Sequence, residues 1–306
     1  MTQLEQSYQK GVVFVLLATL GWSSSGVFVR FMPELDGWQI NCWRGFWMSV
    51  ALLVYLVGLY GRDTLAKFEA IPLPAMVSAA GFFTIGSTLY VTSLTMLSTA
   101  TISVIGASSP IFTGLLSPWV TGERPSALAW VAAAFAMLGV AVIAWDGFES
   151  GRWVGILIAA MVPMSFAGQT LALRRYRSID MVPAICVGGF VTFLVAGLLG
   201  FAAGHSAGGF GVGPREMLLL ILMGPLQLSL PLIFYAKGAK SVAAVTSALI
   251  VMLDAVLNPL WPWLALGEVP ELSAFQGGAL IIGAVLLTIF GDQAIRHISR
   301  RGRSEV

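Results

Sequence analysis

The chain has 306 residues, 57% hydrophobic and only 10% charged, with a formal net charge of +2 and a mean hydropathy of +0.85. A soluble domain carries about 25% charged residues, so this chain lacks the polar surface needed to face water, and its long uncharged runs read as membrane helices. The small net charge points to no nucleic-acid partner, and Cys42 and Cys186, each inside an apolar run, suggest neither a disulfide framework nor a metal cluster. Lys10 precedes the run 11–31, which is too long for a signal h-region and has no small-residue cleavage site, so it reads as a first span. Further runs of spanning length fall at about 39–60, 75–96, 99–120, 127–145, 153–173, 182–203, 216–236, 242–264 and 274–291. The expected fold is an all-α membrane protein of ten transmembrane helices.

Lysine and arginine set the expected orientation. With the N-terminus inside, the inside segments hold Lys10, Arg62, Lys67, Arg124, Arg174, Arg175, Arg177, Lys237, Lys240, Arg296, Arg300, Arg301 and Arg303, which is 13 of the 17. Arg30, Arg44, Arg152 and Arg215 remain outside. Both termini are therefore expected in the cytoplasm.

The sequence repeats itself. A shift of 145 aligns Tyr90 with Tyr235, Thr101 with Thr246, Gly122 with Gly267, Glu123 with Glu268 and Pro125 with Pro270, and a shift near 142 pairs Ser23 with Ser165 and Gly26 with Gly168. Two five-helix units follow, residues 1–147 and 148–306, within one integral membrane domain. Five is odd, so the second copy enters the membrane from the opposite side. Such inverted repeats are associated with transporters whose site lies near the midplane.

At this point a family resemblance becomes visible. Gly122-Glu123 with upstream Tyr90, Ser98, Ala100 and Pro110 and downstream Gly139 resembles the EamA-type signature of the drug/metabolite transporter superfamily. The second half repeats it with Tyr235, Ser241, Ala243, Gly267, Glu268 and Gly283. Leu20-Gly21-Trp22-Ser23 is similar to the family's first-helix motif, and Arg44 sits where its second helix carries an arginine. The resemblance covers essentially the whole chain. It implies a carrier that exports amino acids, metabolites or toxic cations, or exchanges nucleotide sugars and phosphorylated sugars in organelles; within these the bacterial inner-membrane amino-acid exporters, including the YddG-like branch that handles aromatic amino acids, are favoured. Ala255 stands where the first copy has Pro110, so helix nine is expected to bend at Pro259 or Pro262 instead.

Polar residues inside a span are costly unless they face the protein interior or a water-filled cavity. In helix nine Ser247, Asp254, Asn258 and Trp261 fall on one helical stripe. The shift of 145 maps Asp254 to Ser109 and Asn258 to Thr113. Helix three carries Thr84, Ser87, Thr88 and Thr92, helix eight Gln227 and Ser229, helix one Trp22 to Ser25, and helix six Ser165 and Gln169. The predicted substrate-binding set is Trp22, Ser23, Thr84, Thr88, Tyr90, Ser109, Ser165, Gln169, Gln227, Ser229, Asp254 and Asn258. Its mixture of hydroxyls, amides and aromatics suits a neutral or zwitterionic solute.

Bland roles compete at each position. Hydroxyls bond back to the i−4 carbonyl of their own helix or join neighbouring helices. Trp22 can be packing, while Trp38, Trp43, Trp119 and Trp153 read as interface anchors, a reading open to Tyr90 and Tyr235 too. Arg30 and Arg44, close to Glu34 and Asp36, can snorkel or pair. For Glu123 and Glu268 a helix-start or loop-latching role is favoured over a transport role. The glycine-rich GGFGVG at 208–213 follows no strand and is not a nucleotide loop.

Enzyme chemistry finds no footing. His205 and His297 lie in a loop and in the tail, so a serine nucleophile would lack a base. Asp254 has no second acid at its depth for an aspartyl pair, and metal ligation fails for want of partners. No cofactor is expected. The expected partners are a small-molecule substrate and the lipid bilayer, with the chain a monomer or homodimer. Facilitated export is favoured over proton coupling, for which Asp254 is the candidate carrier.

Overall fold

The computed structural model describes residues 3–25, 28, 31–94, 96, 102, 105–106, 108–144, 153–267, 272 and 275–287. Among the described residues every regular element is helical. In chain order these are α1 (Gln3–Ser23), α2 (Gly37–Tyr60), α3 (Thr64–Glu69), α4 (Leu73–Leu94), α5 (Ser109–Val120), α6 (Ala127–Ala144), α7 (Trp153–Arg175) and α8 (Val182–Ala202). There follow α9 (Pro214–Met223), a π-helical segment Gly224–Ser229, α10 (Leu230–Gly238), α11 (Ala244–Val251) and α12 (Asp254–Leu266), then α13 (Phe275–Leu287). Five stretches among the described residues are long and apolar enough to cross a membrane: Gly37–Glu69, Leu73–Ser93, Val154–Arg175, Val182–Ala202 and Pro214–Gly238. Large apolar side chains such as Val54, Leu157 and Leu198 stay exposed on them, as a lipid-facing surface requires.

Local chemistry explains where several helices begin. Asp36 accepts from the Gln39 amide at 2.8 Å while the Gln39 side chain accepts from the Asp36 amide at 3.0 Å, a reciprocal cap that opens α2. The Asp180 carboxylate accepts from the Val182 amide at 3.2 Å and from the Tyr60 hydroxyl at 2.7 Å, so one residue starts α8 and ties it to the end of α2.

The ninth expected span is not one helix. It breaks at Met252–Leu253, upstream of Pro259 and Pro262, through which α12 continues. The amides of Met252, Leu253 and Ala255 reach carbonyls three residues back, at 3.1 Å each. The tightened turn lets Asp254 open a new helix, where aligned amides favour an acid. Ser247 and Asp254 therefore lie on different helices, and the expected stripe is continuous only from Asp254 onward. The first copy behaves alike: Ser108 is in a turn, its amide on the Ile105 carbonyl at 3.0 Å, and α5 opens at Ser109 with Pro110 in its first turn. Ser109 and Asp254 are 145 apart, so both copies break at the same place, with or without a proline.

The span 216–236 is also irregular. Its middle widens to π-helix, with the Leu230 amide on the Pro225 carbonyl five residues back. Pro225 and Pro231 remove two amide donors here, and the wider turn re-registers the rest.

Contacts between helices follow the repeat. α2 packs chiefly on α8, its counterpart under the shift; α4 packs on α7, and the counterpart pair α10 and α1 pack on each other. Small residues permit the close approach that replaces a hydrophobic drive in lipid. A Cβ on Gly45 would come 2.8 Å from the Gly189 carbonyl oxygen, and one on Gly11 would come 2.8 Å from Val242. Gly122 and Gly267, also 145 apart, both turn the chain with positive φ, 75° and 73°.

Two ends of the bundle are distinguishable. At one, Arg174 donates to Glu123 at 2.5 Å and to the carbonyls of Ala239 and Lys240, and Arg175 donates to the Val120 carbonyl. Glu123 also accepts from the Ala244 amide at 3.3 Å. Lys67 lies over Tyr60 and Lys237 over Tyr55. At the other end Asp36 pairs with His205, Gln39 donates to the Gly211 carbonyl, and Trp43 donates to that of Phe210.

Candidate functional site

The predicted residues divide into four groups. The first surrounds the end of α1. The Trp22 ring meets Phe166 of α7 edge-on, centroids 6.2 Å apart, and Tyr235 of α10 at 5.2 Å. Gln227 of the π segment donates to the Trp22 carbonyl at 3.3 Å, and the Trp261 indole of α12 donates to the Ser23 hydroxyl at 2.7 Å. Elements from both repeats thus converge on one aromatic-walled, amide-bearing place. Tyr235 is only 1% exposed and shares a 2.7 Å hydrogen bond with Thr170, so the interface-anchor role does not describe it.

The second group holds the charges. Arg44 on α2 donates to Asn41 Oδ1 at 3.0 Å and to Ser87 Oγ at 3.3 Å, and Ser87 donates to the same Asn41 oxygen at 2.5 Å. Tyr90, one turn beyond Ser87 on α4, lies within electrostatic reach of both Arg44 and Asp254. Its ring packs against the cluster of Ile102 and Ala159, with Ile105 and Ile156 beside it. Arg44 therefore does not pair with Asp36, whose carboxylate is engaged by His205. Of the snorkelling and pairing roles open to Arg44, the pairing with Asp36 is not formed: the guanidinium reaches Asn41 on its own helix and Ser87 on α4. Arg30 lies outside the described residues.

A third group joins helices. Thr84 donates to the Gly188 carbonyl of α8 at 3.0 Å and accepts from Thr192 at 3.2 Å. Ser229 donates to the Met48 carbonyl of α2 at 3.0 Å and to Gly224 at 3.2 Å. These positions correspond under the shift, and each spends its hydroxyl on a neighbouring helix. Ser165 packs against Gly86.

The fourth group is polar, buried and unsatisfied. Thr88 Oγ1, Ser109 Oγ, Gln169 Nε2, Gln227 Oε1, Ser247 Oγ and Asp254 Oδ1 have no partner among the described residues, and neither do Asn41 Nδ2 and Arg44 Nε. Buried polar groups are normally bonded, so this gathering of orphans within one bundle marks places for water or a solute. The side chain of Asn258 lies outside the described residues, as does Glu268. Asn41, Phe166 and Thr170 were not among the residues expected from sequence. Asn41 and Arg44 did carry a signal, a polar pair three residues apart inside an apolar run, which in a membrane is a functional mark. Phe166 and Thr170 carried none, since aromatics and threonines are ordinary in spans.

Comparison with known proteins agrees with this architecture. A family model described as the EamA-like transporter family matches residues 9–145 and again 153–290. A protein of Rickettsia felis named an S-adenosylmethionine uptake transporter is 24% identical over 307 residues, 100% of each chain. One of Streptantibioticus cattleyicolor, named "Probable terminal-alkyne amino-acid exporter", is 29% identical over 91% of this chain and 93% of its own. A pseudopaline exporter of Pseudomonas aeruginosa is 26% identical over 91% and 95%. A solved protein crystal structure superposes with a TM-score of 0.77 at 18% identity, covering 92% of this chain and 97% of that one. That likeness concerns the fold.

Proposed function

Since the chain belongs to the EamA-like transporter family, whose model matches both of its halves, we propose that it is an alternating-access carrier of small metabolites, most of all amino acids and their derivatives. Ten transmembrane helices form two inverted five-helix repeats, 1–147 and 148–306, in a bacterial inner membrane. Lys67, Arg174, Arg175 and Lys237 gather at one end of the bundle, an excess of positive charge that supports reading this end as cytoplasmic. The observation that carries the reading is the pair of equivalent helix breaks. They start α5 at Ser109 and α12 at Asp254 and leave an oxygen of each residue without a partner among the described residues. Interrupted helices that expose polar groups at depth are how secondary transporters build a midplane site.

The binding set is Trp22, Ser23, Thr88, Tyr90, Ser109, Ser165, Gln169, Gln227, Asp254 and Asn258, with Thr84 and Ser229 holding the surrounding helices. Relatives named for uptake and for export both occur, so direction follows the solute gradient in a facilitator, here outward. The second reading, a proton-coupled exporter, rests on the unpartnered Asp254 oxygen. Flux in proteoliposomes with and without a pH gradient separates them. Facilitation requires that wild-type and Asp254→Asn protein both only equilibrate the solute. Uphill accumulation by the wild type, lost in Asp254→Asn, refutes it and establishes coupling.

A further inference from the structure

We propose that the bundle contains a bipolar binding site in which Arg44 and Asn41 receive a carboxylate and Asp254 receives a cation. The proposal rests on the carrier reading and specifies its substrate class: solutes bearing both a carboxylate and a cationic group, as α-amino acids do.

A guanidinium inside an apolar span is expensive and is normally compensated by an acid. Among the described residues Arg44 instead donates only to two neutral oxygens, of Asn41 and Ser87. Its Nε and the neighbouring Asn41 Nδ2 are buried donors without acceptors among the described residues. A planar guanidinium with spare N–H groups beside an amide N–H matches a carboxylate, which accepts two or more such bonds at once.

Asp254 is the complement. It opens α12 where the helix is broken, and its Oδ1 is a buried acceptor without a donor among the described residues. Both charges act on Tyr90, yet among the described residues no ion pair joins them to each other. Among the described residues neither Arg44 nor Asp254 meets a counter-charge. A solute that carries both charges supplies both, whereas a simple anion or a simple cation leaves one of them uncompensated. The site therefore discriminates by the combination.

The test is competition for saturable flux in proteoliposomes made with the full chain. Labelled phenylalanine and methionine are each challenged with the unlabelled compound, its decarboxylated amine and its deaminated acid. In the wild type the intact amino acid competes better than either truncated analogue by about ten-fold, a factor equal to about 1.4 kcal/mol. Arg44→Gln removes the preference over the amine but keeps that over the deaminated acid. Asp254→Asn does the reverse, and Arg44→Lys restores part of what Arg44→Gln loses. Melting curves of the purified variants establish that each is folded. If either variant weakens all competitors by one common factor, the residue is structural and the bipolar site is wrong. Saturable flux of solutes lacking one of the two charges, as strong as that of the amino acids, overturns the site and leaves the carrier intact. Absence of saturable flux for every solute overturns the carrier reading as well.

Discussion

Thr84 and Gln169 show how differently two buried polar side chains can be used. The Thr84 hydroxyl donates to Gly188 and accepts from Thr192, so its potential is filled within the protein. Gln169 Nε2 has nothing to donate to among the described residues. Interhelical hydrogen bonds in membranes average about 0.6 kcal/mol, which sets the size of what Thr84 contributes. Thr84→Val should lower the melting temperature slightly and leave the KM for the transported solute unchanged. Gln169→Leu should do the opposite, raising KM while the melting temperature holds or increases, because an unsatisfied donor is removed. A KM change in Thr84→Val of the same size as in Gln169→Leu would show that the hydroxyl faces the solute.

Helices in this bundle meet through small residues, and the contact of α2 with α8 depends on them most directly. A Cβ on Gly45 would approach the Gly189 carbonyl to 2.8 Å, and backbone cannot step aside as a flexible side chain can. Gly45→Ala is therefore expected to destabilise by about 1–3 kcal/mol, the usual cost of overpacking. Gly58, on the same helix, has open space where a Cβ would stand, with nothing within 4 Å; Gly58→Ala should be neutral or stabilising, since alanine favours helix. Thermal unfolding of the two purified variants reads the difference. Equal melting temperatures would mean that α2 and α8 separate easily, against the close approach at Gly45.

Across the whole molecule, Glu123 bonds one half of the chain to the other. It sits between α5 and α6 of the first repeat and holds Arg174 at the end of α7 and the Ala244 amide at the start of α11, both in the second. In the proposed alternating-access cycle, rocking of one repeat against the other opens one end of the bundle and breaks this contact. Glu123→Gln should therefore favour the conformation open at this end. Spin labels at Thr121 and Arg177, with Cys42 and Cys186 replaced by alanine, would show a shift of the distance distribution to longer values. An unchanged distribution would make Glu123 a passive loop anchor.

Composition and periodicity alone determined that the chain is helical, lives in a membrane and is built twice, because hydrophobic run length and a shift of 145 survive without any knowledge of packing. The same patterns placed Asp254 and Ser109 at equivalent points. They could not show that both points are breaks, since the second has no proline and the turn is made by a change in backbone hydrogen bonding. Nor could they separate Thr84 and Ser229, bonded across helices, from Thr88 and Gln169, left unbonded; every one is a polar residue on an apolar helix. Arg44 is the sharpest case. Its neighbours in sequence, Glu34 and Asp36, left snorkelling or a surface pair open, but Asp36 is engaged by His205 and Arg44 turns to Asn41 and Ser87. Which partner a charge meets depends on helices distant in sequence, and only their packing decides it.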